Sequence, residues 1–302
     1  MSVVIVGSVA LDTVQTPVET HADLLGGSAS YASVAASFFT PVKLVGVVGT
    51  DFPKKFTTLL RKRGIDLAGL QVAEGKTFRW SGVYEWDYNT RRTLSVALNV
   101  FEQFNPTLPA SYATAPFVML GNIHPSLQHR VLDQMRRPKF ILCDTMDLWI
   151  ETAKPDLLKL LKRVDALCLN DSEARQLTGQ TSLIKAGRTL LRMGPKFAII
   201  KKGEHGALLF SNGDFFSAPA YPLEDIHDPT GAGDCFAGAF IGCVARAGRA
   251  TPAVLRQAIV HGSVVASYNV ENFSLQRLER LRPADIARRY AEFIRLSRFQ
   301  AP

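Results

Sequence analysis

The chain has 302 residues, 47% hydrophobic and 21% charged, which is enough apolar material for a large buried core and excludes disorder or a collagen-like repeat. Its 35 basic and 27 acidic residues give a formal charge of +8, which favours anionic substrates. The densest basic stretches, "LLRKRG" around Arg61 to Arg63 and "DIARRYAEFIRLSR" near the end, read as solvated helix faces and not as a nucleic-acid-binding module.

The opening "MSVVIVGSVALD" has no basic region before a short apolar run, so it reads as a buried strand and not as a signal peptide. No stretch reaches the roughly 18 uninterrupted apolar residues of a membrane span. Cys143, Cys168, Cys235 and Cys243 show no C-x-x-C spacing, the pattern of reduced cysteines in a cytoplasmic protein. Zinc, membrane and nucleic acid are therefore not expected partners.

Short β-branched runs follow in chain order at Val3–Gly7, Val42–Gly49, Phe117–Gly121, Phe140–Asp144, Ala166–Asn170 and Phe197–Gly203, each with the character of a parallel strand buried on both faces. Helical periodicity fills the gaps after Asp51, Gln128, Lys154 and Thr181. The alternation predicts a doubly wound α/β fold, a mostly parallel sheet with helices on both faces.

One segment breaks the rhythm. "TFRWSGVYEW" puts Phe78, Trp80, Gly82, Tyr84 and Trp86 on one face of a strand, and "RTLSVALNV" does the same for Leu94, Val96, Leu98 and Val100. The intervening "DYNTR" is a turn, so an antiparallel hairpin over about 77–101 is predicted. Such a hairpin serves as a lid over the strand ends, as an edge extension or as a subunit interface. With no linker or repeat in view, one domain over 1–302 carrying a small β lid is the expected organisation, and an exposed apolar lid face favours a homodimer.

The densest chemistry lies in "HDPTGAGDCFAGAFIGCVARAG", His227 to Gly248. Gly231, Ala232 and Gly233 are small enough to let successive backbone N–H groups converge on an anion at the start of a helix. Asp234 follows inside the first turn, as a capping carboxylate or as a reacting group. Gly238 and Gly242 lower helix propensity, which predicts close contact with another backbone. There is no G-x-x-x-x-G-K-[ST], and the first strand runs into "GSVALD" and not G-x-G-x-x-G, so neither a P-loop nor a dinucleotide site is supported.

"DPTGAGDCFAGAF" resembles the C-terminal signature of the PfkB carbohydrate kinase family, whose fold is that of ribokinase. "GGSASYASVAA" at Gly26–Ala36, "NDSEA" at Asn170–Ala174 and "KKGEHGA" at Lys201–Ala207 resemble further family motifs in the same order. The resemblance implies an ATP-dependent phosphotransferase acting on a hydroxyl of a small sugar-type substrate, with a nucleoside such as adenosine as the alternative acceptor. A non-catalytic nucleotide-binding regulator is a further reading, against which the intact "GAGD" stands.

By the same resemblance Asp234 is the general base, weakly basic at a helix start, and the Gly231, Ala232 and Gly233 backbone is the anion hole. Asp12, Gly26 and Gly27 face the acceptor. Tyr31 stands where the family usually has Asn, and Asp144, at a strand's carboxyl end, is a secondary acceptor-side candidate. Asn170, Lys201, Gly203 and Gly206 lie along the nucleotide, Glu173 holds Mg²⁺ through water, and a monovalent cation such as K⁺ belongs near Asp228 and Ala266–Phe273. The hairpin's aromatic face is a candidate for stacking on a nucleobase.

Overall fold

Val3 and Ile5 pack into one apolar cluster while Val4 and Val6 pack into another, and all four are fully buried. A strand covered on both faces in this way belongs in the middle of a parallel sheet. The computed structural model describes residues 1–298. Its strands are β1 Val3–Val6, β2 Ala10–Gln15, β3 Thr20–Gly26, β4 Val42–Gly49, β5 Ile65–Ala73, β6 Phe78–Tyr84 and β7 Arg91–Ala97. They continue as β8 Phe117–Leu120, β9 Phe140–Asp144, β10 Ala166–Asn170, β11 Phe197–Lys201, β12 Ala207–Ser211 and β13 Asp214–Ala218.

The main sheet has nine strands in the order β13-β12-β11-β10-β9-β8-β1-β4-β5. It is parallel from β11 across to β5, with β12 and β13 joining antiparallel at one edge. The six predicted parallel strands are all present. Three others were not anticipated: β5, an edge strand half open to solvent, and the short pair β12 and β13.

Helices α1 Ser28–Ser37, α2 Lys54–Lys62, α3 Pro125–Gln134, α4 Asp147–Thr152, α5 Lys154–Leu161, α6 Asp171–Thr178 and α7 Leu183–Arg192 connect the strands. The chain ends in α8 Ala232–Ala247, α9 Pro252–Asn269, α10 Gln276–Glu279 and α11 Pro283–Ser297. One face of the sheet packs on α1, α8 and α9, the other on α3, α5 and α7. The strand order reverses between β1 and β8, the place where open α/β sheets form a crevice at their carboxyl ends.

A second sheet, β3-β2-β6-β7, stands apart from the first. The expected hairpin is its β6–β7 half, and the expectation that 77–101 make most of it understated its width, because β2 and β3 supply the other half. "ALDTVQ" and "THADLLG" are too short and too polar to announce a hairpin, and they gain their order from pairing with each other and, through β2, with β6. Edge strand β7 leaves Leu94 49%, Val96 54% and Leu98 42% exposed.

Helices α1 and α8 touch backbone to backbone. A Cβ on Gly238 would lie 2.6 Å from Cα of Ala32, and one on Gly242 would lie 3.0 Å from Cα of Ala36. This is the close approach that the two glycines predict. Gly238→Ala gains up to about 1 kcal/mol of helix propensity but forces α1 and α8 apart at a cost of about 1–3 kcal/mol or more. A net loss of stability, read as a lower urea midpoint with an unchanged slope, is the expected result; an unchanged midpoint would contradict the contact.

Candidate active site

Adjacent strands β9, β10 and β11 end at Asp144, Asn170 and Lys201, so the parallel ladder itself presents these side chains at one edge. Asp234 joins them from the first turn of α8. Asp144 is 3% exposed, and its Oδ1 lies 3.5 Å from Lys201 Nζ. Glu173 is also buried, and its charge and that of Asp234 act on Lys201.

Gly231, the N-cap of α8, has φ +74, and the Tyr31 ring lies where its Cβ would be. Two constraints thus demand glycine there, the left-handed backbone and the ring beneath it. The turn is tied from three sides. Asp228, fully buried, accepts from the N–H groups of Thr230 (2.8 Å) and Ser274 (3.0 Å); Asn269 Nδ2 donates to Thr230 O (2.9 Å); and Tyr84 OH and Thr230 Oγ1 are 3.2 Å apart.

The amide of Ala232 donates to Pro229 O at 3.1 Å and closes the turn. Among the described residues no protein acceptor engages the N–H groups of Gly231, Gly233 or Asp234. Of the three expected donors Ala232 is engaged within the turn, while the N–H groups of Gly231, Gly233 and also Asp234 are left open at the helix start.

On the second sheet, Asp12 pairs with Leu24 on one side and Trp80 on the other, which places the three side chains in a row. Gly26 abuts the Asp12 carboxyl so closely that any side chain would displace it. Gly27, with φ +89, caps α1 against Ser8. Trp80 lies across Gly82, donates to Thr93 Oγ1 at 3.2 Å, and has the Arg91 guanidinium 5.5 Å from its ring centre. The predicted aromatic face is not one platform: Phe78 stacks on Phe101 and Trp86 is 79% exposed.

Arg91 carries no sequence signal of its own. It pairs with Tyr84 across the β6–β7 ladder, and its charge acts on both Asp12 and Asp234.

Burial dominates the electrostatics. Asp12 is pushed up to about 8 by burial and by Asp228 and Asp234, with the Gly27 amide and Arg91 opposing. Burial and Asp144 push Asp234 up to about 7 against Lys201 and Arg91. Burial and the neighbouring Asp144 thus act against the ionised form that a helix start favours. Glu173 rises to about 7 through burial, with Lys201 opposing. Burial also raises Asp144, offset in part by Lys201.

Three sequence expectations sit differently in the structure. Tyr31 is 1% exposed beneath Gly231, so it faces the turn and not an open acceptor pocket. Asn170 and Glu173 form a reciprocal capping box at α6: Asn170 Oδ1 accepts from Glu173 N (2.8 Å) and Glu173 Oε2 from Asn170 N (2.7 Å). Gly206 packs against Ala218–Ala220, while Gly203 lies beside Asn89 of the β6–β7 turn, whose side chain also reaches Glu204 at 3.2 Å.

Among the described residues no three acidic, His or Cys side chains are grouped to hold a metal ion by themselves. One Glu173 oxygen remains outside the capping box, and buried acids with raised proton affinity surround Lys201. That donor set fits Mg²⁺ that keeps its water and shares phosphate oxygens. Asp228 accepts one backbone N–H on each carboxyl oxygen and so ties the turn to the segment after α9.

The sheet order, the crevice at its carboxyl edge and a glycine turn with an adjacent carboxylate define a ribokinase-like kinase fold and site. Residues 2–280 match the pfkB family carbohydrate kinase description, and the chain belongs to that family. It is a sugar or nucleoside kinase, which transfers phosphate to a hydroxyl. A cytidine kinase of Thermococcus kodakarensis is 32% identical over 248 residues, covering 80% of this chain and 87% of its own length. Two solved structures share the fold. A Methanocaldococcus jannaschii nucleoside kinase, an archaeal member of the ribokinase family, has 18% identity, TM-score 0.75, and covers 96% of this chain and 98% of its own. A Vibrio cholerae fructokinase, determined with fructose, ADP and calcium, has 17% identity, TM-score 0.77, and covers 95% and 98%.

The raised acids make a stability prediction. Asp234 ordinarily titrates near 3.8 and here near 7, so the folded state binds its proton more tightly, and that contribution is lost as pH rises through about 7. Asp234→Asn removes the burden. Without ligands it stabilises the protein at pH 8 by on the order of 1–3 kcal/mol, and the gain shrinks toward pH 4. Urea unfolding at both pH values checks this; an Asn variant less stable than wild type at pH 8 refutes it.

Proposed function

We propose that this protein is an ATP-dependent nucleoside kinase, phosphorylating a hydroxyl of a pyrimidine-type nucleoside. The convergence of Asp12, Asp234 and the open amides of Gly231, Gly233 and Asp234 on one crevice carries the phosphotransfer reading. The similarity to a cytidine kinase favours the nucleoside over the sugar first expected.

In this reading Asp12, a neutral acid at pH 7, both donates to and accepts from neighbouring sugar hydroxyls, with Gly26 leaving room beside it. Trp80, next to Asp12 in the sheet, takes the base. ATP lies across the ends of β10 and β11, near Asn170, Gly203 and Gly206. The acceptor oxygen bonds to the γ-phosphorus, the bond to the β-bridging oxygen breaks, and the hydroxyl proton passes to Asp234. The free amides at the start of α8 stabilise the charge on the transferring group. Mg²⁺, held near Glu173 through water, supplies charge neutralisation on the phosphates. K⁺ is given no step.

The second sheet acts as a lid, fastened to the catalytic turn through Tyr84 and to the Gly203–His205 segment through Asn89. Its exposed Leu94, Val96 and Leu98 form a homodimer interface, and the protein works in the cytoplasm. Leu94→Arg with Val96→Arg converts the dimer to a monomer in sedimentation; a wild type that is already monomeric contradicts the interface.

The decisive assay measures ADP release with nucleosides, sugars and sugar phosphates in parallel. Cytidine or a related nucleoside is expected to give the highest kcat/KM, rising with pH to a plateau above about 7 as Asp234 ionises. Asp234→Asn lowers kcat by roughly 10²–10⁴ while ATP still binds. A sugar preferred over every nucleoside returns the acceptor to the carbohydrate class. Absence of turnover with any acceptor, for wild type and variant alike, leaves a nucleotide-binding regulator.

A further inference from the structure

Lys201 is a sparsely partnered charge in the crevice. Its side chain is only 15% exposed, yet among the described residues the one carboxylate within ion-pair reach is Asp144, at 3.5 Å, too long for a strong charge-assisted bond. A buried ammonium carries three donors, and leaving them unfilled is costly.

Their direction is given by Gly233. The Lys201 Nζ is 3.1 Å from the point a Cβ on Gly233 would occupy, so the ammonium rests against the glycine whose N–H is one of the open donors of the α8 turn. The place where Lys201 sits is the phosphate end of the crevice.

We propose that Lys201 is a catalytic residue whose ammonium binds the transferring phosphoryl group from the side opposite the acceptor, with Asp144 as the carboxylate that positions it. This rests on the reading of the Gly231–Asp234 turn as the phosphoryl site. The loose transition state spreads charge over the equatorial phosphoryl oxygens, and a cation fixed beside the turn's amides meets that charge without reorganising. Lys201 keeps its proton throughout: the proton that moves goes from the acceptor hydroxyl to Asp234, and Lys201 supplies only charge and hydrogen bonds. Its proton affinity agrees, since burial opposes its charge but Asp144, Cys168, Glu173 and Asp234 outweigh burial and raise it. Asp144 accordingly acts through Lys201 and does not touch the acceptor.

The test uses Lys201→Met, Lys201→Arg and the double variant Asp144→Asn with Lys201→Met, in the full-length enzyme with its best acceptor. The double variant also neutralises the carboxylate that Lys201→Met leaves without its ion-pair partner, so it folds even where Lys201→Met does not. Both Met-containing proteins are expected to lose roughly 10²–10³ in kcat, while ADP affinity stays within about threefold of wild type. Lys201→Arg is expected to recover at least about a tenth of the wild-type rate, since it restores the charge.

Two results overturn the proposal. A double variant within about fivefold of the wild-type kcat would make the pair purely structural. An unchanged kcat with ADP and ATP affinities reduced equally would return Lys201 to nucleotide binding. Either result with an active wild type leaves the kinase reading standing, whereas an inactive wild type removes that reading first.

Discussion

The crevice is built by burying more acid than base. Asp12, Asp144, Glu173 and Asp228 are each under a tenth exposed, Asp234 lies partly exposed beside them, and Lys201, with a side chain 15% exposed, is the cation set among them. Each carboxyl gives up water without gaining a full countercharge, and each holds its proton more tightly for that reason. Gathering these carboxyls out of water favours their neutral forms, and positive charge placed beside them offsets that cost. Binding and stability are then two sides of one quantity, because whatever binds only the folded form stabilises it.

That charge is useful only if the helix start stays still. Gly238 and Gly242 let α8 lie on α1, Tyr31 supports Gly231 from below, and Asp228 and Asn269 bind the turn to the end of α9. Tyr84 then joins the second sheet to the same turn through Thr230. Asp234 is therefore placed by helix packing, by a buried polar network and by a strand from the other sheet together. A shift in any of them moves Asp234 relative to the open amides, and such displacements are felt strongly in phosphoryl transfer.

What the sequence reveals follows from how local each feature is. The Gly231–Asp234 turn, the two helix glycines and the six buried strands are contiguous patterns, and periodicity or residue size is enough to read them. The four-residue cluster of Asp144, Glu173, Lys201 and Asp234 is assembled from the ends of β9 and β11 and the first turns of α6 and α8, so no spacing along the chain announces it. Strands β2 and β3 stayed hidden because polar strands draw their stability from partners and not from propensity. Asp234 was read as weakly basic because a helix start is visible in sequence, whereas burial beside Asp144 is not. Arg91 illustrates the same limit: only the β6–β7 register, set by a bulge between Ser81 and Gly82, brings it across from Tyr84.

The net charge of +8 and the acidic crevice look opposed but act at different distances. The surplus of basic residues lies outside the catalytic cluster, much of it on helix faces such as that of α11, where it contributes a positive field that draws polyanions toward the protein. At contact range the polyanion meets Asp144, Glu173 and Asp234, and bare phosphates would be repelled. A phosphate chain accompanied by a divalent cation satisfies both requirements, attracted from afar by the surface and matched at close range to the acids. Lys201, lodged under the Gly233 turn, then marks the point inside that acidic ring where negative charge is welcome. In the proposed reaction the phosphoryl group lies where the open amides of the α8 turn and the Lys201 ammonium converge, beside Asp234.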